Sequence, residues 1–111
     1  MEPIVFLVQG SAAEPYQVTF TKRSEGNLTA HCTCPAGRMS MYCKHRINIL
    51  LGDVTDIVSK NEETVHTVYD WYRDSDVERE VKNIDRLERE IDDLKKLLSG
   101  AKKRVSAAMM D

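Results

Sequence analysis

No apolar run among the 111 residues approaches the roughly 20 that a membrane-spanning helix needs. The most apolar opening stretch, Ile4 to Val8, is too short for a secretory leader and lacks its basic start. These absences lead to the expectation of a soluble, intracellular chain, cytoplasmic or nuclear/nucleoid, with no membrane partner. Apolar residues are scarce as well, at 41% against 31% charged, at a length where self-sufficient burial is already marginal. Something besides apolar packing is expected to hold the fold. Cysteine occurs only three times, an odd number that cannot pair off, and Cys32 and Cys34 are one residue apart, a spacing that strains a disulfide. A secreted disulfide framework is therefore excluded. An excess of base is also missing, since 16 Lys and Arg face 18 Asp and Glu, which rules out a uniformly basic nucleic-acid coat. The chain has no Gly/Ser-rich linker, no Ser-His-Asp set and no phosphate-binding glycine loop, so an enzyme is not expected.

What is present divides the chain into two expected parts, a compact domain over 1–73 and an amphipathic helix over 74–111. Ile4 to Val8 is rich in β-branched residues and closed by Gly10, which predicts a strand buried on both faces. Tyr16 to Lys22 alternates apolar and polar residues, the pattern of a half-buried strand. Glu25-Gly26-Asn27 supplies turn chemistry, and Leu28 to Thr33 returns as the second arm of a hairpin that Pro35 must end. After a loop from Pro35 to Tyr42, Lys44 to Leu51 reads as a short helix with Ile47, Leu50 and Leu51 on its apolar face and Gly52 as its stop. A further helix from about Asn61 to Tyr72 carries Val65, Val68, Tyr69 and Tyr72 on one stripe. The stretch from Asp53 to Lys60 is ambiguous.

Chemistry concentrates in one short stretch. Cys32-x-Cys34 is followed, eight residues later, by Cys43-x-His45, a four-ligand metal set. In an extended strand, residues i and i+2 point to the same side, so Cys32 and Cys34 can offer both thiolates to one ion. On a helix the same spacing turns through about 200°, so Cys43 must precede the helix and His45 enter its first turn. Three thiolates and an imidazole favour zinc in a closed, structural site, worth about 10–16 kcal/mol by comparison with zinc-finger peptides. The alternative is three ordinary buried thiols with an incidental histidine. His31 is a possible substitute ligand, but a strand would point it away from Cys32, and His66 reads as a helix-flank residue.

This pattern resembles the SWIM zinc-finger family, in which C-x-C is followed after a variable gap by C-x-H. The resemblance covers roughly residues 16–52 and includes the hairpin before the motif and the apolar helix after it. It implies zinc bound by Cys32, Cys34, Cys43 and His45 and a partner that is DNA or protein. Family members are parts of chromatin remodellers, transposases and recombination factors. The fold class expected is α+β: a hairpin or three-stranded sheet and a short helix around a structural zinc, then a long coiled-coil helix.

Residues 16–52 carry Lys22, Arg23, Arg38, Lys44 and Arg46 against Glu25 alone, a local excess of base in an otherwise acidic chain. These five are the candidate nucleic-acid contacts, with a solvated surface as the plainer reading. Met39, Met41 and Tyr42 are expected to pack onto the ion, or else to form an exposed adaptable surface. Trp71 lies off the apolar stripe of its helix and could anchor a partner.

From Ser75 the pattern changes. Ser75 with Glu78 is a capping-box signature. Val77, Ile84, Ile91, Leu98 and Val105 recur every seven residues, and Leu87, Leu94, Ala101 and Ala108 fill the companion register, with Glu80 the one misfit. These are a and d positions of a coiled coil. Residues 76–108 are accordingly expected to make a homodimer, with a parallel two-stranded coil suggested by the β-branched a positions and an antiparallel pair or larger bundle using the same stripe. Glu90 could meet Lys95 of a parallel partner. Gly100 either frays the helix or is crossed on the way to about Met109. The function expected is a non-enzymatic zinc-finger adaptor that binds nucleic acid or a nucleic-acid-associated protein and self-associates. The alternative is a purely protein-protein adaptor or inhibitor in which zinc is only structural.

Overall fold

A computed structural model of the chain describes residues 2–110. The elements run β1 (Ile4–Val8), β2 (Tyr16–Ser24), β3 (Asn27–Cys32), α1 (Pro35–Arg38), α2 (Lys44–Leu50), a 3-10 turn (Glu62–Thr64), α3 (Val65–Tyr72) and α4 (Asp76–Met109). The architecture is the α+β class expected, a three-stranded antiparallel sheet in the order β1-β2-β3 with short helices and one long terminal helix. Two compact units divide at Glu78, the second beginning at Arg79.

The β2–β3 hairpin turns through Glu25 and Gly26, where Gly26 takes a φ of 74°, a left-handed conformation that strains any residue with a Cβ. The register slips between Lys22 and Ser24, leaving Arg23 as the extra residue of a bulge beside the turn. On the covered face of the sheet, Phe6, Val18 and Cys32 lie in one cross-strand row and Phe20 in the next. Phe6, Val18 and Phe20 are fully buried, and the two phenyl rings meet edge to face at 6.0 Å. Ile49 and Leu50 of α2 and Val65, Val68, Trp71 and Tyr72 of α3 complete the core.

Three apolar faces differ from the sequence expectation, each for a packing reason. β1 buries only Phe6 and Val8, while Val5 and Leu7 are more than a third exposed, because the sheet is covered on one face only. β1 is also an edge strand, and the ambiguous stretch covers that edge. The Gln9 N–H donates to the Asp56 carbonyl, the Val58 N–H to the Leu7 carbonyl and the Asn61 amide to the Val5 carbonyl, all at 2.8 Å. This blunts an edge that would otherwise invite pairing with another chain.

In α2 the buried pair is Ile49 and Leu50; Leu51 is 62% exposed and Ile47 half-buried. The rotation follows His45, which stands one turn before Ile49 and turns that stripe inward. In α3, Trp71 is buried, not presented to a partner, and Tyr69 is the exposed member of the expected apolar stripe. The Lys22 ammonium donates to the Trp71 carbonyl at 3.3 Å and ties this helix end to the sheet.

The capping box forms in modified form. The Glu78 N–H donates to Ser75 Oγ at 3.1 Å, and the Glu78 carboxylate accepts from the Asp74 N–H at 3.0 Å, one residue earlier than the usual return bond. Asp76 adds two bonds to the hairpin, from its N–H to the Gly26 carbonyl and from the Leu28 N–H to its carboxylate. The first turn of α4 is thereby anchored within the first unit. The helix crosses Gly100 without a break and continues to Met109.

The corrected face of α2 separates two neighbouring leucines. Leu50→Ala should cost about 2–5 kcal/mol, and Leu51→Ala no more than about 0.5 kcal/mol, in urea melts under identical metal loading.

Candidate metal centre

Each of the four donors owes its place to a different local structure. Cys32 closes β3 with its side chain on the covered face of the sheet, and His31, on the opposite face, is exposed. Cys34 is the N-cap of α1, whose first residue is Pro35, a residue that needs no N–H partner there. Cys43 is the N-cap of α2, in extended conformation, and His45 is the second residue of that helix. The expected division, Cys43 before the helix and His45 inside its first turn, is what the backbone has.

The three cysteines are buried and unpaired by disulfide. Together with His45 they place four donor atoms within 4.8 Å of one another. Cys34 Sγ lies 3.4 Å from Cys43 Sγ, and His45 Nδ1 lies 3.5 Å from Cys43 Sγ and 3.8 Å from Cys32 Sγ. An ion with tetrahedral bonds of about 2.3 Å to sulfur and about 2.0 Å to nitrogen separates its sulfurs by about 3.8 Å and each sulfur from nitrogen by about 3.5 Å. The three closest of these pairs match such a shell to within a few tenths of an ångström, and the widest separation, up to 4.8 Å, would have to close by about 1 Å for the set to hold a metal ion.

Backbone amides are aimed at the sulfurs as well. The Gly37 N–H donates to Cys34 Sγ at 3.2 Å and the Cys34 N–H to Cys32 Sγ at 3.5 Å. Such bonds favour the thiolate form. Without a metal the thiols divide. Burial first, then the neighbouring Cys34 and Cys43 thiols, push Cys32 up to about 12, against the opposing Cys34 amide. Burial also acts to raise Cys43, but the Arg46 N–H, then the Cys34 thiol, His45 and Cys32 outweigh it and hold Cys43 down at about 6.

Two glycines belong to the site without having announced themselves in the sequence. A Cβ on Gly37 would stand 2.3 Å from the Cys32 carbonyl oxygen, backbone that cannot give way, so only glycine allows α1 to lie against the end of β3. A Cβ on Gly10 would collide with the Tyr16 ring and come 3.3 Å from His45 Nε2. Tyr16 in turn lies against the imidazole with ring centres 5.0 Å apart. No local pattern marks either role, because both depend on what folds against the glycine.

The loop between the ligand pairs is partly helical, since α1 occupies its first half. Met39, Met41 and Tyr42 do not pack inward; they are 72%, 58% and 62% exposed and form the open surface of this loop. The five candidate nucleic-acid residues are dispersed. Arg46 spans two backbones, donating to the Ala30 carbonyl at 3.0 Å and the Met41 carbonyl at 2.6 Å. Arg38 donates to the Thr33 carbonyl at 2.7 Å, and Lys22 is held as described. Arg23 and Lys44 are exposed. Arg23 sits at the turn end of the hairpin, and Lys44 opens α2 between Cys43 and His45.

No protein-family model matches this sequence, and no curated protein or solved structure shows significant similarity to it. Among the described residues, no helix is long and apolar enough to cross a membrane.

Metal loading should depend on pH with a defined sign. At pH 7 Cys43 is ionised and Cys32 keeps its proton, so binding must expel at least that proton, and affinity rises with pH by about tenfold per unit for each proton released. Below about 6 Cys43 also takes up a proton and the slope steepens. Competition titrations with a chromophoric chelator from pH 5.5 to 8.5 measure both slopes.

Proposed function

We propose that this chain is a non-enzymatic zinc-finger adaptor of SWIM-like type, in which zinc on Cys32, Cys34, Cys43 and His45 fixes the first unit and α4 joins one copy to another. Three thiolates and one imidazole suit zinc, and four protein donors fill a tetrahedron, leaving no position for water or substrate. Zinc here would stabilise structure and supply no chemistry.

The observation that carries the adaptor reading is the exposed apolar stripe of α4. Leu87, Ile91, Leu94, Leu98 and Val105 are 42%, 50%, 64%, 56% and 58% exposed, on a helix of 34 residues. A heptad stripe sustained over that length finds its cover in another helix. Pairing two copies would also duplicate the first unit and its exposed Met39, Met41 and Tyr42, so that a weak contact at each gains avidity.

Nucleic-acid recognition is the second reading. Five bases against one acid over residues 16–52 favour it, and among the described residues Arg23 and Lys44 have no side-chain hydrogen bond or ion pair. It ranks below the protein-contact reading because Lys22, Arg38 and Arg46 are engaged by backbone carbonyls and the remaining pair is separated.

Native mass spectrometry of the full chain tests the first reading, with one zinc per chain and a dimer expected. Leu94→Glu should give a monomer that keeps its zinc; a zinc-free monomer from the unaltered chain would overturn the reading. For the second, duplex and single-stranded DNA are titrated at 50 and 200 mM salt, as an order-of-magnitude choice at which about two phosphate contacts would change affinity roughly tenfold. Absence of salt-sensitive binding would remove nucleic acid as a partner.

A further inference from the structure

Charge along α4 is polarised in a way that the apolar stripe alone does not explain. From Asp76 to Leu94 there are eight acids and four bases, and from Lys95 to Met110 five bases and no acid. Interaction with the helix dipole favours acid at the first turn and base at the last, but its influence fades within a turn of each end. Glu88, Glu90, Asp92 and Asp93 lie in the middle of the helix, beyond that reach.

We propose that α4 pairs with α4 of a second copy in antiparallel orientation, about a two-fold axis level with Lys96. This rests on the self-association reading and adds its geometry. The a and d layers of that register are Leu94 with Leu98, Ile91 with Ala101, Leu87 with Val105 and Ile84 with Ala108 of the second copy, each repeated by symmetry. Each isoleucine then meets an alanine, so no layer sets two alanines against each other. The overlap extends over residues 84–108, about 36 Å at 1.5 Å per residue.

The flanks agree with the seam. In this register Glu88 approaches Lys102 and Glu90 approaches Arg104 of the second copy, two attractive pairs that symmetry doubles, against a single like-charge meeting of Lys95 with itself. Leu97, 67% exposed, faces its own copy and widens the apolar contact. The Arg86 to Glu90 ion pair at 2.7 Å is more than half exposed at both ends and leaves the Glu90 carboxylate open to a second donor. A parallel pair would give up most of these contacts. Glu80 would face Glu80 within the seam, Ala101 and Ala108 would form thin layers against themselves, acidic halves would lie together, and Glu90 with Lys95 would be the sole attractive flank pair.

The test uses the full zinc-loaded chain, whose own cysteines are buried, and a short bis-maleimide. Lys95→Cys should crosslink efficiently, because position 95 meets itself across the antiparallel flank. Ile91→Cys should not, since its counterpart lies about 15 Å away along the axis. The pair E88K/E90K should weaken the dimer at least about tenfold in sedimentation equilibrium, and adding K102E/R104E to the same chain should restore it. Crosslinking through Ile91→Cys but not Lys95→Cys, or a failure of the fourfold variant to recover, would overturn the orientation and leave self-association standing. A monomer at every concentration would overturn both.

Discussion

Three buried sulfurs and one imidazole nitrogen brought within 4.8 Å are the constraint on which the first unit depends. Thiolates at that separation repel one another, and burial alone drives Cys32 toward its neutral form. A cation coordinated by all four reverses that balance, and the geometry can accept one. The four donors also come from the end of β3, the cap of α1 and the start of α2, so whatever holds them together holds the sheet to both helices. With so few apolar residues available, a metal ion at this junction would do what a larger core does in a longer chain.

The rest of the first unit is arranged around that junction by polar struts. Arg46 joins β3 to the loop ahead of Cys43, Arg38 joins α1 to the residue between Cys32 and Cys34, and Lys22 joins β2 to the end of α3. Each uses a charged group to satisfy backbone carbonyls that no ladder or helix serves. The same economy appears at β1, where segment 56–61 supplies the hydrogen bonds of a missing strand without forming one. A positive local charge can thus serve architecture as readily as a phosphate.

The second unit follows other rules. A lone helix has no interior, so its apolar stripe and its charge order are both addressed outward. Stripe residues determine that a partner helix would fit, and the polarity of charge along the axis distinguishes the two ways of laying it down.

Sequence by itself determined the parts governed by local rules: the hairpin and its Gly26 turn, the cluster of four candidate ligands and its division between strand end and helix start, the Ser75 cap and the long terminal helix. Those depend on φ preferences, on the periods of strand and helix, and on hydrogen bonds between near neighbours, all of which act over a few residues. Tertiary structure alone decided which faces were covered. Leu51 and Tyr69 ended outside and Trp71 inside because packing against the sheet set the rotation of their helices, and Val5 and Leu7 stayed open because none of the described residues covers that side of the sheet. Gly37 and Gly10 became indispensable only when Cys32 and Tyr16 came to lie against them, since excluded volume between distant residues has no signature in the order of the chain.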